Sequence, residues 1–431
     1  MRLRIDKPLA QLAPRERSRL LDRRPADEPE LTDQVRVLLA RVRREGDRAL
    51  REMAREFDGV ELPGLEVPRE LWTAAVQRLD PALLQNLEEA SRNIHAFHRA
   101  QIPEDIQVTV RPGVTLGRRS VPLSVVGVYA PGGRAAYPTS VLMGVVPARA
   151  AGVGEIILCS PPGPSGYPSD QVLAASAIAG ASRLFALGGA GAIGAMAFGT
   201  ATVPRTQAVV GPGNRYVTEA KRQVAGEVII DSPAGPSEVL VLADESADPR
   251  LCALELVCQA EHDPEAAVAL VTDSAPLLDR VRTILLEEAA QTPRREIVEA
   301  ALHSNGALLL AGTWDEAVAF ARDYAPEHLA LFTSNPRRDL EDIPTAGTAF
   351  LGQAAAVAFG DYLTGANHVL PTGGMARAFS SLSTIHFLRM YTWQEITPEA
   401  AAAMSPSVER MAEAEGLPAH AEAARARRGP A

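Results

Sequence analysis

The sequence predicts an α/β protein with mostly parallel sheets. From Pro122 onward, short β-branched runs alternate with Ala-rich helical stretches, and after Pro233-Ala-Gly-Pro-Ser-Glu238 the alternation starts again. Strand, helix, strand at this spacing demands crossover connections, which build parallel sheets covered by helices on both faces. Length agrees: 431 residues exceed one ordinary core and suggest two or three domains, and 46% apolar residues are enough to fill them.

Residues 26–100 carry helical periodicity with charged outer faces, as in Leu31-Thr-Asp-Gln-Val-Arg-Val-Leu-Leu-Ala-Arg-Val42, and are expected as a helical lead-in. The first alternating series predicts strands at 124–129, 155–160, 183–187 and 207–210, with helices near 139–151, 171–179, 192–198 and 216–224. The second predicts strands at 239–243, 267–272, 307–311 and 328–333, with helices between. The last fifty residues lose the strand signal. Residues 398–428 read as short helices too small to bury a core alone, so they must dock on their own chain or on a partner.

A formal net charge of −10 disfavours a nucleic-acid partner, which needs a basic face, and leaves a small molecule as the expected ligand. No apolar run reaches the roughly 20 residues needed to span a bilayer, and the charged opening is unlike a signal peptide, so no membrane partner and a cytoplasmic location are expected. Cys159, Cys252 and Cys258 form an odd set without CxxC spacing, which indicates neither a disulfide framework nor a thiolate zinc site. Cys252 and Cys258 fall among Leu and Val and read as core residues.

Histidine is scarce, 8 in all, yet four of the eight lie beside carboxylate or amide residues in four distant stretches. Gln259-Ala-Glu-His262 closes a predicted helix over 249–261, stopped by Asp263-Pro264, which would set Gln259 and His262 on one helical face. A polar helix end complementing the dipole is the plainer reading. Gly360-Asp361 through Asn367-His368 forms a Gly-rich loop whose small residues admit a ligand, or else a turn satisfied by its own Asp and Asn. Glu415 and His420 flank Gly416-Leu-Pro418, where a surface histidine is the ordinary explanation. Taken together, Gln259, His262, Asp361 and His420 make a nitrogen and oxygen donor set acceptable to zinc, and less selectively to manganese or cobalt. Glu327-His328 sits where a predicted helix over 314–324 passes into a strand. A histidine suits a base near neutral pH and a neighbouring carboxylate can activate water, although a strand-edge ion pair would look the same.

Gly189-Ala-Gly191-Ala-Ile-Gly194 follows a predicted strand with the spacing of a dinucleotide phosphate loop, but no acidic residue follows about 20 positions on to hold a ribose. The next strand ends in Gly211-Pro-Gly213-Asn214. Anionic phosphates could rest at either helix start.

Several longer motifs carry a resemblance: Val128-Tyr-Ala-Pro-Gly-Gly133, Gly211-Pro-Gly-Asn214 with Thr218-Glu-Ala-Lys-Arg222, Pro233-Ala-Gly-Pro-Ser-Glu238, Gln259-Ala-Glu-His262, Tyr324-Ala-Pro-Glu-His-Leu329, and Asn367-His-Val-Leu-Pro-Thr372. With Gly360-Asp361, Glu415 and His420, they make the chain resemble the histidinol dehydrogenase family over essentially its whole length. The resemblance implies NAD-dependent, two-step oxidation of L-histidinol to L-histidine through the aldehyde, the last step of histidine biosynthesis. It implies zinc on Gln259, His262, Asp361 and His420, which anchors the substrate without redox chemistry, and His328 as base with Glu327 activating water. Ser237, His368 and Glu415 would position substrate, and Tyr129 and Asn214 would contact NAD. Where the family has Gln after Gly-Gly-Ala, this chain has Gly191, which implies a lost NAD contact.

The resemblance also implies two Rossmann-like domains in a homodimer with exchanged C-terminal arms. The expected division is an N-terminal arm over 1–25, a first α/β domain from 26–125 with 238–380 carrying most metal and catalytic residues, a second over 126–237 on the NAD side, and a helical arm over 381–431 docked on the partner. Rival readings are a paralogous zinc-containing NAD-dependent dehydrogenase of another polar alcohol, a metal-dependent hydrolase, and a non-catalytic metal- or nucleotide-binding module.

Overall fold

Runs of Val, Ile and Leu become central strands only where both of their faces are covered, and two sheets here meet that condition. The computed structural model describes residues 3–24, 28–132, 137–232 and 235–428. In chain order the strands are β1 (Ile5–Pro8), β2 (Ile106–Arg111), β3 (Val114–Pro122), β4 (Val125–Tyr129), β5 (Glu155–Ser160), β6 (Arg183–Ala186), β7 (Ala208–Val210), β8 (Ile229–Ile230), β9 (Glu238–Ala243), β10 (Ala267–Thr272), β11 (Gly306–Leu310), β12 (His328–Phe332), β13 (Thr348–Leu351) and β14 (Leu388–Ile396). One parallel sheet has the order β6-β5-β4-β7-β8 and the other β1-β11-β10-β9-β12-β13.

In the second sheet, Val239 and Val241 enter one apolar cluster while Leu240 and Leu242 enter the cluster on the opposite face, the period of two that a doubly covered strand requires. In the first, Val126, Ile157 and Leu184 pack with Val35, Leu39, Leu50, Trp72 and Ile94 from the helices between residues 29 and 99. Those helices therefore cover the 125–230 sheet. This differs from the grouping of 26–125 with 238–380, because helical periodicity tells which face of a helix is apolar but not which sheet receives it.

Two further differences concern the ends. Residues 5–8 are not a free arm; they add a parallel edge strand beside β11. The C-terminal segment is not wholly helical either. Its β14 pairs antiparallel with β3 from Leu388↔Pro122 to Ile396↔Val114, completing a three-stranded sheet β14-β3-β2, with Trp393 lying over Gly117 where a Cβ would come within 2.1 Å of the indole. After β14 come two helices, Pro398–Ala414 and Pro418–Arg425. No helix among the described residues is long and apolar enough to cross a membrane.

Each parallel sheet has a switch point, where successive strands turn from one side of the first strand to the other: between β4 and β7, and between β9 and β12. Tyr129 and Gly211 lie at the carboxyl rim of the first. Glu238 and His328 open β9 and β12, so they lie at the amino rim of the second.

Candidate active site

His328 is the first residue of β12, and the chain reaches it through a sharp reversal after the helix Trp314–Tyr324. Ala325 makes that reversal at φ 50°, the one non-glycine residue with positive φ among those described. The Nδ1–H of His328 donates to the Glu238 carbonyl at 2.8 Å, so that in the neutral imidazole it is Nε2 that carries the lone pair. Nε2 is buried, has no hydrogen-bond partner among the described residues, and stands 3.7 Å from Asp361 Oδ1. Glu327 is buried too. Its Oε2 accepts the Glu238 N–H at 2.6 Å and lies 3.5 Å from His328 Nδ1. The expected helix-to-strand junction is thus present, and one residue, Glu238, holds both members of the pair through its main chain.

The charges are strongly coupled. Burial opposes a charged imidazole, but the Glu327 and Asp361 carboxylates outweigh it and raise His328 well above the ordinary histidine range. Burial pushes the Glu327 carboxyl up, with His328 partly opposing. For Asp361, burial acts upward, yet the surrounding histidines 328, 368 and 262 hold it below the usual carboxylate range.

Asp361 belongs to a short helix, Val357–Tyr362, rather than to the expected loop. Small residues around it allow close packing: a Cβ on Gly360 would meet the Phe350 ring at 2.7 Å. His368 does lie in the following loop; its Nδ1–H donates to the Asp361 carbonyl at 3.0 Å, Nε2 is 3.5 Å from Ser140 Oγ, and burial holds it below the ordinary histidine value. The helix carrying Gln259 ends at Ala260, so His262 falls in the turn beyond and the shared helical face is not realised. Gln259 is 2% exposed while His262 is exposed.

Gln259 Oε1 is a buried oxygen without a hydrogen-bond partner among the described residues, an acceptor that a ligand can engage. Gln259, His262 and Asp361 thus fit a divalent cation in donor chemistry. The fourth expected donor does not join them in this chain. Glu415, in the turn after the first C-terminal helix, and His420, on the second, are exposed, and their side chains make no hydrogen bond or ion pair among the described residues. Accordingly, no group of three or more His, Cys, Asp or Glu side chains gathers as a metal site among the described residues. Ser237 is half-buried just before β9, its carbonyl accepting from Ala267 N–H at 3.0 Å.

At the carboxyl rim of the other sheet, the Tyr129 hydroxyl accepts the Gly189 N–H at 3.2 Å, and burial pushes its phenol up to about 12. Asn214 caps the helix Arg215–Val224 by accepting from Tyr216 and Val217 N–H, with its side chain at the surface. Gly211 approaches so closely that a Cβ would stand 2.1 Å from the Tyr129 carbonyl oxygen, and its φ is +117°. Its N–H donates to Asp231 Oδ2 at 2.8 Å and its carbonyl accepts from Lys221 Nζ at 3.0 Å, while Lys221 and Asp231 form a buried ion pair. Gly191 does not face this loop: a Cβ there would meet Met53 Sδ at 3.0 Å and Leu50 at 3.6 Å, so the position is closed by packing. Gly133, Pro233 and Ala234 of the sequence motifs lie outside the described residues.

Sequence reasoning missed Arg23, which pairs with the Glu238 carboxylate at 2.9 Å, the contacts of Glu238 and Ser140, and Glu255, a buried carboxylate four residues before Gln259 that accepts from Val357 N–H at 3.2 Å. Only Glu255 had a local signal, its i, i+4 spacing to Gln259 on one helix.

A family model described as histidinol dehydrogenase matches residues 21–428. A histidinol dehydrogenase from Methanosarcina mazei is 46% identical over 430 residues, covering 100% of this chain and 99% of the relative. One from Methanothermobacter thermautotrophicus is 47% identical over 410 residues, 95% of this chain and 96% of the relative. The crystal structure of histidinol dehydrogenase from Elizabethkingia anophelis superimposes with a TM-score of 0.93 at 35% identity, covering 99% of this chain and 98% of that one. Fold and site together define an α/β oxidoreductase. More particularly, the chain belongs to the histidinol dehydrogenase family.

Proposed function

We propose that this enzyme oxidises L-histidinol to L-histidine in two NAD-dependent steps, with His328 as the base and Glu327 activating water. The observation that carries the reading is His328 Nε2, buried, unpartnered among the described residues and 3.7 Å from Asp361 Oδ1, with Gln259 Oε1 a second buried atom that has no partner among them. The first can take a proton and the second can engage a cation.

Zinc held by Gln259, His262, Asp361 and His420 would supply a Lewis-acid anchor for the substrate's imidazole and amino nitrogens. NAD at the β4/β7 rim, near Tyr129 and Asn214, would supply the hydride acceptor twice. His328 Nε2 takes the hydroxyl proton as the carbinol carbon gives up hydride. Glu327 then takes a proton from the water that adds to the aldehyde, and His328 takes the hydrate's hydroxyl proton as the second hydride leaves. Ser237, His368 and Glu415 orient the substrate. Retention of the aldehyde between steps explains why no thiol is needed.

The arm reading extends to a homodimer in which Glu415 and His420 enter the partner's site. It is supported by apolar surface at both ends of the contact: Met411 and Leu417 are exposed on the arm, and Phe359 and Tyr362 are exposed beside Asp361. Three free cysteines suit the cytoplasm as compartment.

The test is to supply L-histidinol, NAD and zinc and count NADH per substrate. Two are expected; none overturns the reading, and one overturns the second step. His328→Asn should lower kcat by about 10²–10⁴-fold with metal retained. Mixing His328→Asn with His420→Ala subunits should restore about a quarter of wild-type activity if arms are exchanged, because each heterodimer then holds one intact site. No recovery would mean that each arm serves its own chain.

A further inference from the structure

We propose that Arg23 and Glu238 act together as a positioning device for the catalytic pair, with Arg23 reaching in from the N-terminal segment to set the peptide of Glu238. The inference rests on the assignment of His328 and Glu327 made above.

Glu238 meets both residues through its main chain, its N–H binding Glu327 Oε2 and its carbonyl accepting from His328 Nδ1–H. The orientation of that one residue therefore sets the carboxylate and the tautomer at once. Its side chain is clamped on the other side. Arg23 binds it in a two-pronged pair, Nε to Oε1 at 2.9 Å and Nη2 to Oε2 at 2.9 Å, and Gly373 N–H donates to Oε1 at 2.8 Å. Arg23 has no freedom of its own: it donates to the carbonyls of Leu20 and Tyr324, and its guanidinium stacks 3.4 Å from the Tyr324 ring centroid. Both side chains are almost wholly buried, at 9% and 3% exposure.

The pair does two things that neutral packing would not. Its geometry is directional, since a guanidinium fork matches a carboxylate in one plane and so fixes the rotation of Glu238. Its charge is balanced: the guanidinium pairs the Glu238 carboxylate, whose own main chain holds the buried Glu327. Behind Arg23 lies a cavity of about 680 Å³ lined by Arg4, Arg19, Arg23 and Tyr324, so the outer side of the pair is reachable from solvent while its inner side is not.

The experiment compares Arg23→Met, Arg23→Ala and Arg23→Met/Glu238→Gln in the zinc-loaded enzyme. Arg23→Met should lower kcat by about 10–100-fold, the usual effect of losing an orienting partner, and leave the KM values for histidinol and NAD within about threefold. With ¹⁵N-labelled histidine, the His328 resonances, assigned by their loss in His328→Asn, should change from a single Nδ1–H tautomer to a mixture. The double variant, in which no lone charge remains, should fold where the single variant does not, yet it should keep the low kcat, because the directional fork is still missing; wild-type kcat in it would overturn the proposal. Millimolar guanidinium, entering by the cavity, should raise the kcat of Arg23→Ala and leave wild type unaffected. Wild-type kcat in Arg23→Met, or an unchanged His328 tautomer alongside a fall in kcat, would overturn the proposal. If His328→Asn itself retains turnover, the assignment of the base fails instead, so the two failures are separable.

Discussion

Replacing Lys221 with Met should be among the most damaging single changes at the proposed nucleotide rim, although Lys221 touches no substrate. Its side chain is 3% exposed and that of its partner Asp231 2%, so removal leaves a carboxylate buried without a counter-charge. It also removes the 3.0 Å donor to the Gly211 carbonyl, while Asp231 continues to hold the Gly211 N–H at 2.8 Å. Breaking one side of a buried pair costs about 3–5 kcal/mol. Against a total stability of about 5–15 kcal/mol this is a large fraction. The assay is equilibrium urea unfolding followed by tryptophan fluorescence, since Trp72 is buried in the same apolar cluster as the β4 to β7 strands. The KM for NAD should rise in parallel, because the 211–214 loop loses its anchor. Lys221→Met/Asp231→Asn should regain most of the loss, as the amide can still accept from Gly211. A single variant destabilised by less than about 1 kcal/mol, or a double variant no better than the single, would refute the reasoning.

Gly211→Ala should fold poorly or lose at least about 3 kcal/mol, because its Cβ would sit 2.1 Å from the Tyr129 carbonyl oxygen at a φ of +117°; thermal unfolding checks this, and a wild-type melting curve would contradict it. Gly191→Gln should cost about 1–3 kcal/mol through pressure on Met53 without improving NAD binding, and tighter NAD binding at unchanged stability would restore the lost-contact explanation. The native enzyme should resist iodoacetamide at pH 8: burial pushes the thiols of Cys252 and Cys258 up to about 12, which leaves roughly one thiolate in ten thousand. Inactivation on modifying one cysteine of the folded enzyme would contradict that.

The parts of the fold legible in the sequence are those whose pattern is local. Strands β4 to β6 and β9 to β12 are near-continuous apolar runs because both faces are covered, and they fall within a residue or two of expectation. β14 escaped because Leu388-Arg-Met-Tyr-Thr-Trp-Gln-Glu-Ile396 is mostly exposed, and its strand character comes from pairing with β3 more than 260 residues earlier. The destination of the lead-in helices escaped for the same reason. Within the site, Glu327, His328, Asp361 and His368 were legible as clusters of chemical groups and lie within hydrogen-bond or ion-pair range, each of the next, but Arg23 and Glu238 are 215 positions apart and no pattern along the chain links them. Glu415 and His420 stay apart from the others in a single chain, where the features that mark them are an exposed helix and its apolar neighbours.

The residues proposed as reactive on the second sheet, Glu327 and His328, sit where its strands begin, not where they finish. Strand beginnings present main-chain amide hydrogens, and Glu327 is held by such a hydrogen from Glu238, so this rim suits carboxylates as its resident groups. With the proposed site at this rim, altering what the enzyme accepts calls for editing the connections that lead into β9 and β12. Grafts planned by analogy with ordinary nucleotide enzymes, which remodel the loops leaving their strands, would land on the wrong end of this sheet.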